Sequence, residues 1–432
     1  MSEQSIQAKW EENDDIGYHQ GLMQEALLEM RNQVILPVDN RWQLAYSLLV
    51  SGIGQDSGVM STGTFGTVKT TMGNLMLGPD QRISLNAHDT EEKLFGHDHP
   101  NPTNGSSPKF IPGKFKVVDP TNPTFFLNEL PHMRNQKPVQ QLWDGEELVF
   151  LNGERIDLKN AAFYITGNYP NGRDVFRLSP SILSRIAAEV LTGDVDDQTA
   201  RLIQSSEGVE FDKAPLLPAA DVRKVINELV TDAYPNPERT QGGNETGNFT
   251  VDLINSLNKS ELVAPISSAD ARIGKAITAA SRAFLFAHDK PKGTVIKPID
   301  IARIAALVMP TVVELSATAV GYMSDSLRGP VPDLDKAIAT RRIIARNAFR
   351  IAYERAIQDD ESFDGTPGIS TIKSEGQIEL DIATRTGQYS YADTGVLGYD
   401  IDLALKSETE PDKPATAPRR RVLRGIPIRR HR

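Results

Sequence analysis

Gly58-Val59-Met60-Ser61-Thr62-Gly63-Thr64-Phe65-Gly66-Thr67-Val68-Lys69-Thr70-Thr71 is the stretch whose reading decides the fold. Residues 58–62 form a short strand candidate. A loop with two glycines and several hydroxyls follows, then a lysine, then Met72-Gly73-Asn74-Leu75-Met76-Leu77, which opens a helix. Strand, glycine loop and helix start is the order a phosphate loop requires. Backbone N–H groups at a helix N-terminus hold anionic oxygens, a Lys reaches the terminal phosphates, and a hydroxyl binds Mg2+. Gly63, Thr64, Phe65, Gly66, Thr67, Val68, Lys69, Thr70 and Thr71 are therefore the candidate nucleotide loop, with Thr70 the metal-side hydroxyl. Val68 departs from the full pattern, because the residue before the Lys is usually Gly where the backbone nears the phosphates. Taken alone, the segment also reads as ordinary turn chemistry.

Working outward, Gly21–Val34 and Trp42–Leu49 have apolar residues at helical spacing and lead into the loop. Downstream, residues 97–114 are dense in Pro, Asn, Gly and Ser and read as a loop. The strand Pro123–Leu127 ends in Asn128-Glu129, a helix is expected over Lys137–Trp143, and Glu147–Leu158 reads as a hairpin turning at Asn152-Gly153. Ala161–Thr166 is a buried strand ending at Gly167-Asn168, and Ser179-Pro180 opens a helix that runs through Arg185.

A strand ending in a carboxylate pair is what a P-loop ATPase uses to hold Mg2+ and polarise the attacking water. Here Asn128 replaces the first acid, so Glu129 is the candidate catalytic base. Asn128 can hydrogen-bond a metal-bound water but supplies no charge, which lowers the expected Mg2+ affinity or hydrolysis rate. Asn168 could orient the lytic water from the neighbouring strand; a lone Asn after a strand is also a common turn residue. Arg185 and Arg272 are spaced as a trans-acting finger and a lid-borne phosphate contact would be, although either could equally be a surface side chain.

From about residue 206 the texture becomes helical: Ala219–Ala233, Asn248–Leu257, Ala269–His288 and Pro298–Leu315, with a polar insertion at 234–247. Leu334–Gln358 reads as a further helix carrying Arg341, Arg342, Arg346, Arg350 and Arg355. Its seam of Leu334, Ile338, Ile343, Ile344, Phe349 and Ile351 suits a solvated helix or a subunit or partner contact. The expected organisation is a helical lead-in over 1–40, a nucleotide-binding domain over 41–205, a helical lid over 206–325, a helix over 326–358, and a flexible tail over 359–432.

The 432 residues exceed one core of ~100–150, and 39% hydrophobic residues supply enough apolar material for sizeable cores. With 47 Lys+Arg against 57 Asp+Glu the net charge is −10, which argues against a body that coats duplex nucleic acid. The last fourteen residues, 419–432, hold seven Arg and no acid, so residues 1–418 carry −17. That basic tip could contact nucleic acid or an acidic partner, or fold back on the acidic body; it has no aromatics, so base stacking is not supported. The absence of Cys excludes disulfides, thiolate zinc sites and a Cys nucleophile. No signal peptide and no run of ~18 apolar residues is present, so a cytoplasmic protein without a membrane span is expected. His88, His97 and His99, with Asp89 and Asp98, suggest either a metal site or a solvated loop.

The order of these parts, from about Arg41 to Glu314, resembles a MoxR-type AAA+ ATPase and, more distantly, the minichromosome-maintenance helicases. Residues 58–71 look like that family's strand and Walker A loop. Residues 109–145 are similar to its Walker B region and the following helix, and 147–170 to its helix-2 insert hairpin and sensor 1 strand, with Asn168 at sensor 1. Leu178–Ile186 is similar to the segment bearing the arginine finger, at Arg185, and 267–309 places Arg272 at sensor 2. The resemblance implies an α/β P-loop NTPase αβα sandwich followed by an all-helical lid. It also implies a homo-oligomeric ring, commonly a hexamer, with ATP and Mg2+ between neighbours. Family members are chaperone-like remodellers of client proteins, often with a von Willebrand factor A domain partner. Val68 and Asn128 favour a non-hydrolysing scaffold or nucleotide-gated assembly module as the alternative. A helicase-like motor rests on the basic tail and distant kinship alone.

Overall fold

The computed structural model describes residues 9–11, 15–34, 40–52, 54–63, 68–99, 109–168, 176, 178–192, 201, 215–235, 245–267, 271–294, 296, 298–309 and 313–316. It also describes 340, 343–345, 347–348 and 350–352. The strands are β1 (Gly58–Gly63), β2 (Arg82–Ser84), β3 (Gly96–His99), β4 (Lys109–Pro112), β5 (Thr124–Asn128), β6 (Glu147–Val149), β7 (Arg155–Asp157), β8 (Ala162–Asn168) and β9 (Ala188–Thr192). Five of them form one parallel sheet in the order β2-β5-β8-β1-β9. The first strand thus lies inside the sheet, with later strands on both sides. In such sheets the crevice for ligands opens at the carboxyl ends of the strands, where the connections diverge.

Alternation along the strands shows why the sheet needs cover on both faces. Val59, Phe126, Ala162 and Tyr164 belong to one apolar cluster. Met60, Phe125, Leu127, Phe163 and Ile165 belong to another on the opposite face. A strand buried on both sides reads as a continuous apolar run rather than an alternating one, which is the pattern of residues 124–127 and 161–165.

The helices are α1 (Ile16–Gln33), α2 (Asn40–Ser51), α3 (Lys69–Leu77), α4 (Glu91–Phe95), α5 (Lys137–Asp144), α6 (Pro180–Leu183), α7 (Ala220–Ala233), α8 (Glu245–Leu257), α9 (Ala271–Ala287) and α10 (Pro298–Val308). Helices α1, α2 and α3 cover the first face and α5 the second. The later helices share the first cluster, and polar ties reinforce that contact: Ser47 Oγ donates to the Ala283 carbonyl at 2.7 Å and Gln24 Nε2 to that of Ala287 at 2.7 Å. Among the described residues no helix is long and apolar enough to cross a membrane.

Several details differ from the sequence reading. Residues 97–99 and 109–112 are not loop: with Gly96 they make the antiparallel pair β3–β4, His97 opposite Ile111. Strands β2 and β9 complete the two edges of the sheet and have no counterpart among the expected elements. Helix α6 stops at Leu183, leaving Arg185 in the turn that leads to β9. The helix expected to reach Leu315 ends at Val308, and Leu315 instead bridges to Val263. The described part of 340–352 is helical but not solvated: Ile344, Ala345, Ala348, Ile351 and Ala352 are buried in the cluster shared with α7–α10. Arg350 Nη2 donates to Ser256 Oγ at 2.6 Å, and that hydroxyl donates to Asn347 Oδ1 at 2.6 Å. Leu334, Ile338 and the tail 359–432 lie outside the described residues.

Candidate functional site

Helix α3 begins at Lys69, within the candidate loop segment, and its placement depends on a glycine. A Cβ on Gly73 would sit 2.4 Å from the Phe126 ring and 2.7 Å from the Tyr164 ring, so only Gly lets α3 lie this close to β5 and β8. Tyr164 Oη donates to the Lys69 carbonyl at 2.8 Å and pins the first turn. The first bond along that turn runs from Met72 N–H to the Val68 carbonyl at 2.8 Å. The N–H groups of Thr70 and Thr71 precede it and have no intrahelical acceptor, which is the ordinary anion-binding feature of a helix start.

Val68 explains how the loop tolerates a side chain at its glycine position. Its φ of −64° carries no penalty for a β-branched residue, and its side chain packs against the apolar cluster. Gly63 is required for a different reason: a Cβ there would lie 1.9 Å from Thr192 Oγ1 and 2.1 Å from the Thr192 carbonyl oxygen on β9. Thr64, Phe65, Gly66 and Thr67 lie outside the described residues.

Lys69 is 5% exposed, and its Nζ donates to the Gly63 carbonyl at 3.2 Å. Burial pushes its pKa down to about 8, with the Glu129 carboxylate pulling the other way. An amine held this way gains from any anion that reaches the edge.

Register brings Asn128, Glu129 and Asn168 to the same edge. Gly63 pairs with Asn168, and Asn128 closes β5 beside Ser84 of β2. Asn128 Oδ1 accepts from Thr70 Oγ1 at 3.1 Å and from Thr166 Oγ1 at 3.0 Å. Glu129 follows in the left-handed region, φ 61° and ψ 38°, and its N–H donates to Thr166 Oγ1 at 2.9 Å. A non-glycine residue in this region costs on the order of 1–2 kcal/mol, so the Thr166 bond helps hold Glu129 where the strand ends. Thr166 is thus the residue that orders the Asn128-Glu129 corner, and nothing in the sequence set it apart from an ordinary strand Thr. Glu189 was also unforeseen: this buried carboxylate on β9 accepts a hydrogen bond from Thr62 Oγ1.

Arg185 is not at this edge. Its carbonyl lies 2.5 Å from where a Cβ would stand on Gly58, at the opposite end of β1 from Gly63. Five strand steps at ~3.3 Å put roughly 17 Å between the two ends, and the guanidinium is held by the Ser181 carbonyl and hydroxyl. Arg272 lies in the first turn of α9; its side chain is outside the described residues.

The histidines do not assemble a metal site. Among the described residues no group of three or more His, Cys, Asp or Glu is placed to hold a metal ion. Asp89 has a structural task, accepting from the Asn86 N–H at 2.8 Å and from Lys114 Nζ at 2.8 Å.

No family model matches the sequence, and no curated protein matches it. Among solved structures, a crystal structure of a putative ATPase from Cytophaga hutchinsonii is similar, with a TM-score of 0.53 and 12% identity over 75% of this chain and 96% of that one. At that identity the likeness concerns the fold. Together with the parallel sheet order and its helical cover, it establishes a P-loop NTPase α/β fold.

Proposed function

We propose that this P-loop NTPase chain is a MoxR-like AAA+ ATPase that binds Mg-ATP at the carboxyl edge of its sheet and hydrolyses it slowly at subunit interfaces. The observation that carries the reading is the division of labour along β1. Lys69, Thr70, Asn128, Glu129 and Asn168 converge at one end, whereas Arg185 sits at the other, about 17 Å away by strand length. A side chain at that distance cannot serve its own loop, so the arginine acts on the nucleotide of a neighbouring copy, and a ring of head-to-tail contacts, a hexamer by family resemblance, supplies that geometry.

The residues present fit ATP with Mg2+. The first turn of α3 offers N–H donors, Lys69 offers a cation, and Thr70 and Asn128 offer oxygen atoms of the kind a hard divalent ion takes. Mg2+, when bound, supplies charge that offsets the phosphates. Lys69 holds the β- and γ-phosphates, and their charge favours its protonated form. Glu129 accepts a proton from the attacking water, and Asn168 orients that water. Arg185 of the next copy stabilises the charge that develops on the transferred group, and Arg272 couples the helical lid to the nucleotide. The neutral amide at Asn128 makes hydrolysis slow. The work done with that cycle is remodelling of partner proteins in the cytoplasm, with a von Willebrand factor A domain protein as the partner class, on family resemblance.

A mixing experiment tests the shared site. Glu129→Gln and Arg185→Ala proteins are each expected to be inactive alone, yet mixed one to one they regain turnover, up to about a quarter of wild type for random assembly around a ring. Recovery no greater than the sum of the two separate proteins would refute a site built from two copies. The second reading, a non-hydrolysing scaffold, is favoured by the uncharged Asn128 between two hydroxyls, and nucleotide binding without turnover would select it.

A further inference from the structure

One groove has a lining that the ATPase reading does not use. It lies between α4, α5 and the β6–β7 hairpin, measures about 780 Å³, and is lined in part by Phe95, Leu148, Val149 and Leu151 together with Glu91 and Glu92. Val149 is 52% exposed and Leu151 66%, the latter the most exposed large apolar side chain among the described residues. Hairpin tips are ordinarily polar, so a bare leucine here marks a surface that something covers. Neither Glu91 nor Glu92 has an ion-pair partner among the described residues. Glu147, also in the lining, is paired with Arg155 at 2.9 Å, and Lys93 turns away to the His88 carbonyl at 3.0 Å. The groove therefore sets the apolar side chains of Phe95, Leu148, Val149 and Leu151 beside the carboxylates of Glu91 and Glu92.

One segment of this chain has the complementary chemistry. Arg419-Arg420-Arg421-Val422-Leu423-Arg424-Gly425-Ile426-Pro427-Ile428-Arg429-Arg430-His431-Arg432 sets Val422, Leu423, Ile426 and Ile428 between arginines, with no acid. Elsewhere the chain is strongly acidic, so charge alone would hold this segment to many places; a groove that sets apolar side chains beside unpaired carboxylates selects among them. Residues 353–418, at up to ~3.3–3.6 Å each when extended, put every face of the molecule within reach. A cleft of this size also suits a short extended segment rather than a folded domain.

We propose that residues 419–432 dock in the groove between α4, α5 and the β6–β7 hairpin, their isoleucines and leucine covering Val149 and Leu151 and their arginines pairing with Glu91 and Glu92. The segment comes from the same chain or from a second copy; both place it on the same surface.

The absence of cysteine makes the test direct. Leu151→Cys with Ile426→Cys is introduced in the full-length protein, mild oxidant is added, and the cross-link is followed by non-reducing gel and intact mass. The control is Leu28→Cys with Ile426→Cys. Leu28 is also exposed, at 57%, and is flanked by Glu25 and Glu29, but it stands on α1, which contributes nothing to the lining of this groove. Cross-linking at Leu151 is expected to be at least ~10-fold faster than at Leu28, and Glu91→Lys with Glu92→Lys is expected to slow it by a similar factor. A monomeric or a dimeric cross-linked species supports the proposal equally. Equal rates at the two leucines, no cross-link at either, or indifference to the charge reversal overturns it. None of these readouts involves nucleotide, so their failure leaves the ATPase reading untouched.

Discussion

Replacing Lys69 with methionine should make the ligand-free protein more stable. Lys69 is 5% exposed, and burial lowers the pKa of its amine from 10.5 to about 8. At 1.36 kcal/mol per unit, keeping it charged at pH 7 costs about 3 kcal/mol. The bond to the Gly63 carbonyl and screening by water at the sheet edge offset part of this, so Lys69→Met is expected to gain about 2 kcal/mol at pH 7. The sign of the pH dependence follows from linkage. The unfolded chain keeps the lysine proton to higher pH than the folded one, so wild-type stability rises as pH climbs from about 8 toward 10.5. The penalty is complete below pH 8 and falls to roughly half or less by pH 9.5. Urea unfolding of both proteins at pH 7 and pH 9.5 reads this directly: the advantage of Lys69→Met should shrink by about 1–2 kcal/mol between the two. A variant less stable than wild type at pH 7, or an advantage that does not change with pH, would refute the reasoning that burial at this site disfavours the charged amine.

Other perturbations test the supports of the site. Gly73→Ala should destabilise the protein by about 1–3 kcal/mol, because the new methyl meets the Phe126 and Tyr164 rings; a thermal melt within error of wild type would contradict that packing. Thr166→Val keeps the shape of the strand but strips the partner from the Glu129 N–H and one donor from Asn128. A loss of about 1–3 kcal/mol is expected by denaturant unfolding, with any turnover falling further than nucleotide affinity does. Asn128→Asp keeps both bonds, since each uses the acceptor oxygen. The added charge should tighten Mg2+ dependence and raise turnover several-fold, and a fall in turnover would show that the amide is needed as it stands.

How much of this could be read beforehand depended on how residues encode their neighbours. The buried strands 124–128 and 162–168 were visible because apolar runs bounded by Pro, Asn and Gly have few other homes. Strand β2 is three residues with one buried side chain, and β9 carries Glu189 as its second residue, so neither shows an apolar period. The β3–β4 pair hides in a segment whose composition reads as loop. For the described helical residues between 344 and 352, three of the five buried apolar side chains are alanines, which signal little by hydrophobicity, while the arginines in this stretch of sequence signal solvent. At the candidate site, motif order singles out Lys69, Asn128, Glu129 and Asn168, and the register sets them at one edge of the sheet. It does not single out Thr166, because that residue's role arises from β5 and β8 lying side by side, a relation between segments remote in sequence.

The central claim is that the edge holding Lys69 and Glu129 binds and turns over Mg-ATP. It is tested most directly by measuring ATP binding by calorimetry and phosphate release on the same wild-type, Lys69→Ala and Glu129→Gln preparations. The account predicts binding and slow turnover by wild type, neither by Lys69→Ala, and binding without turnover by Glu129→Gln. Turnover that survives both substitutions, or no nucleotide binding by wild type, would contradict it.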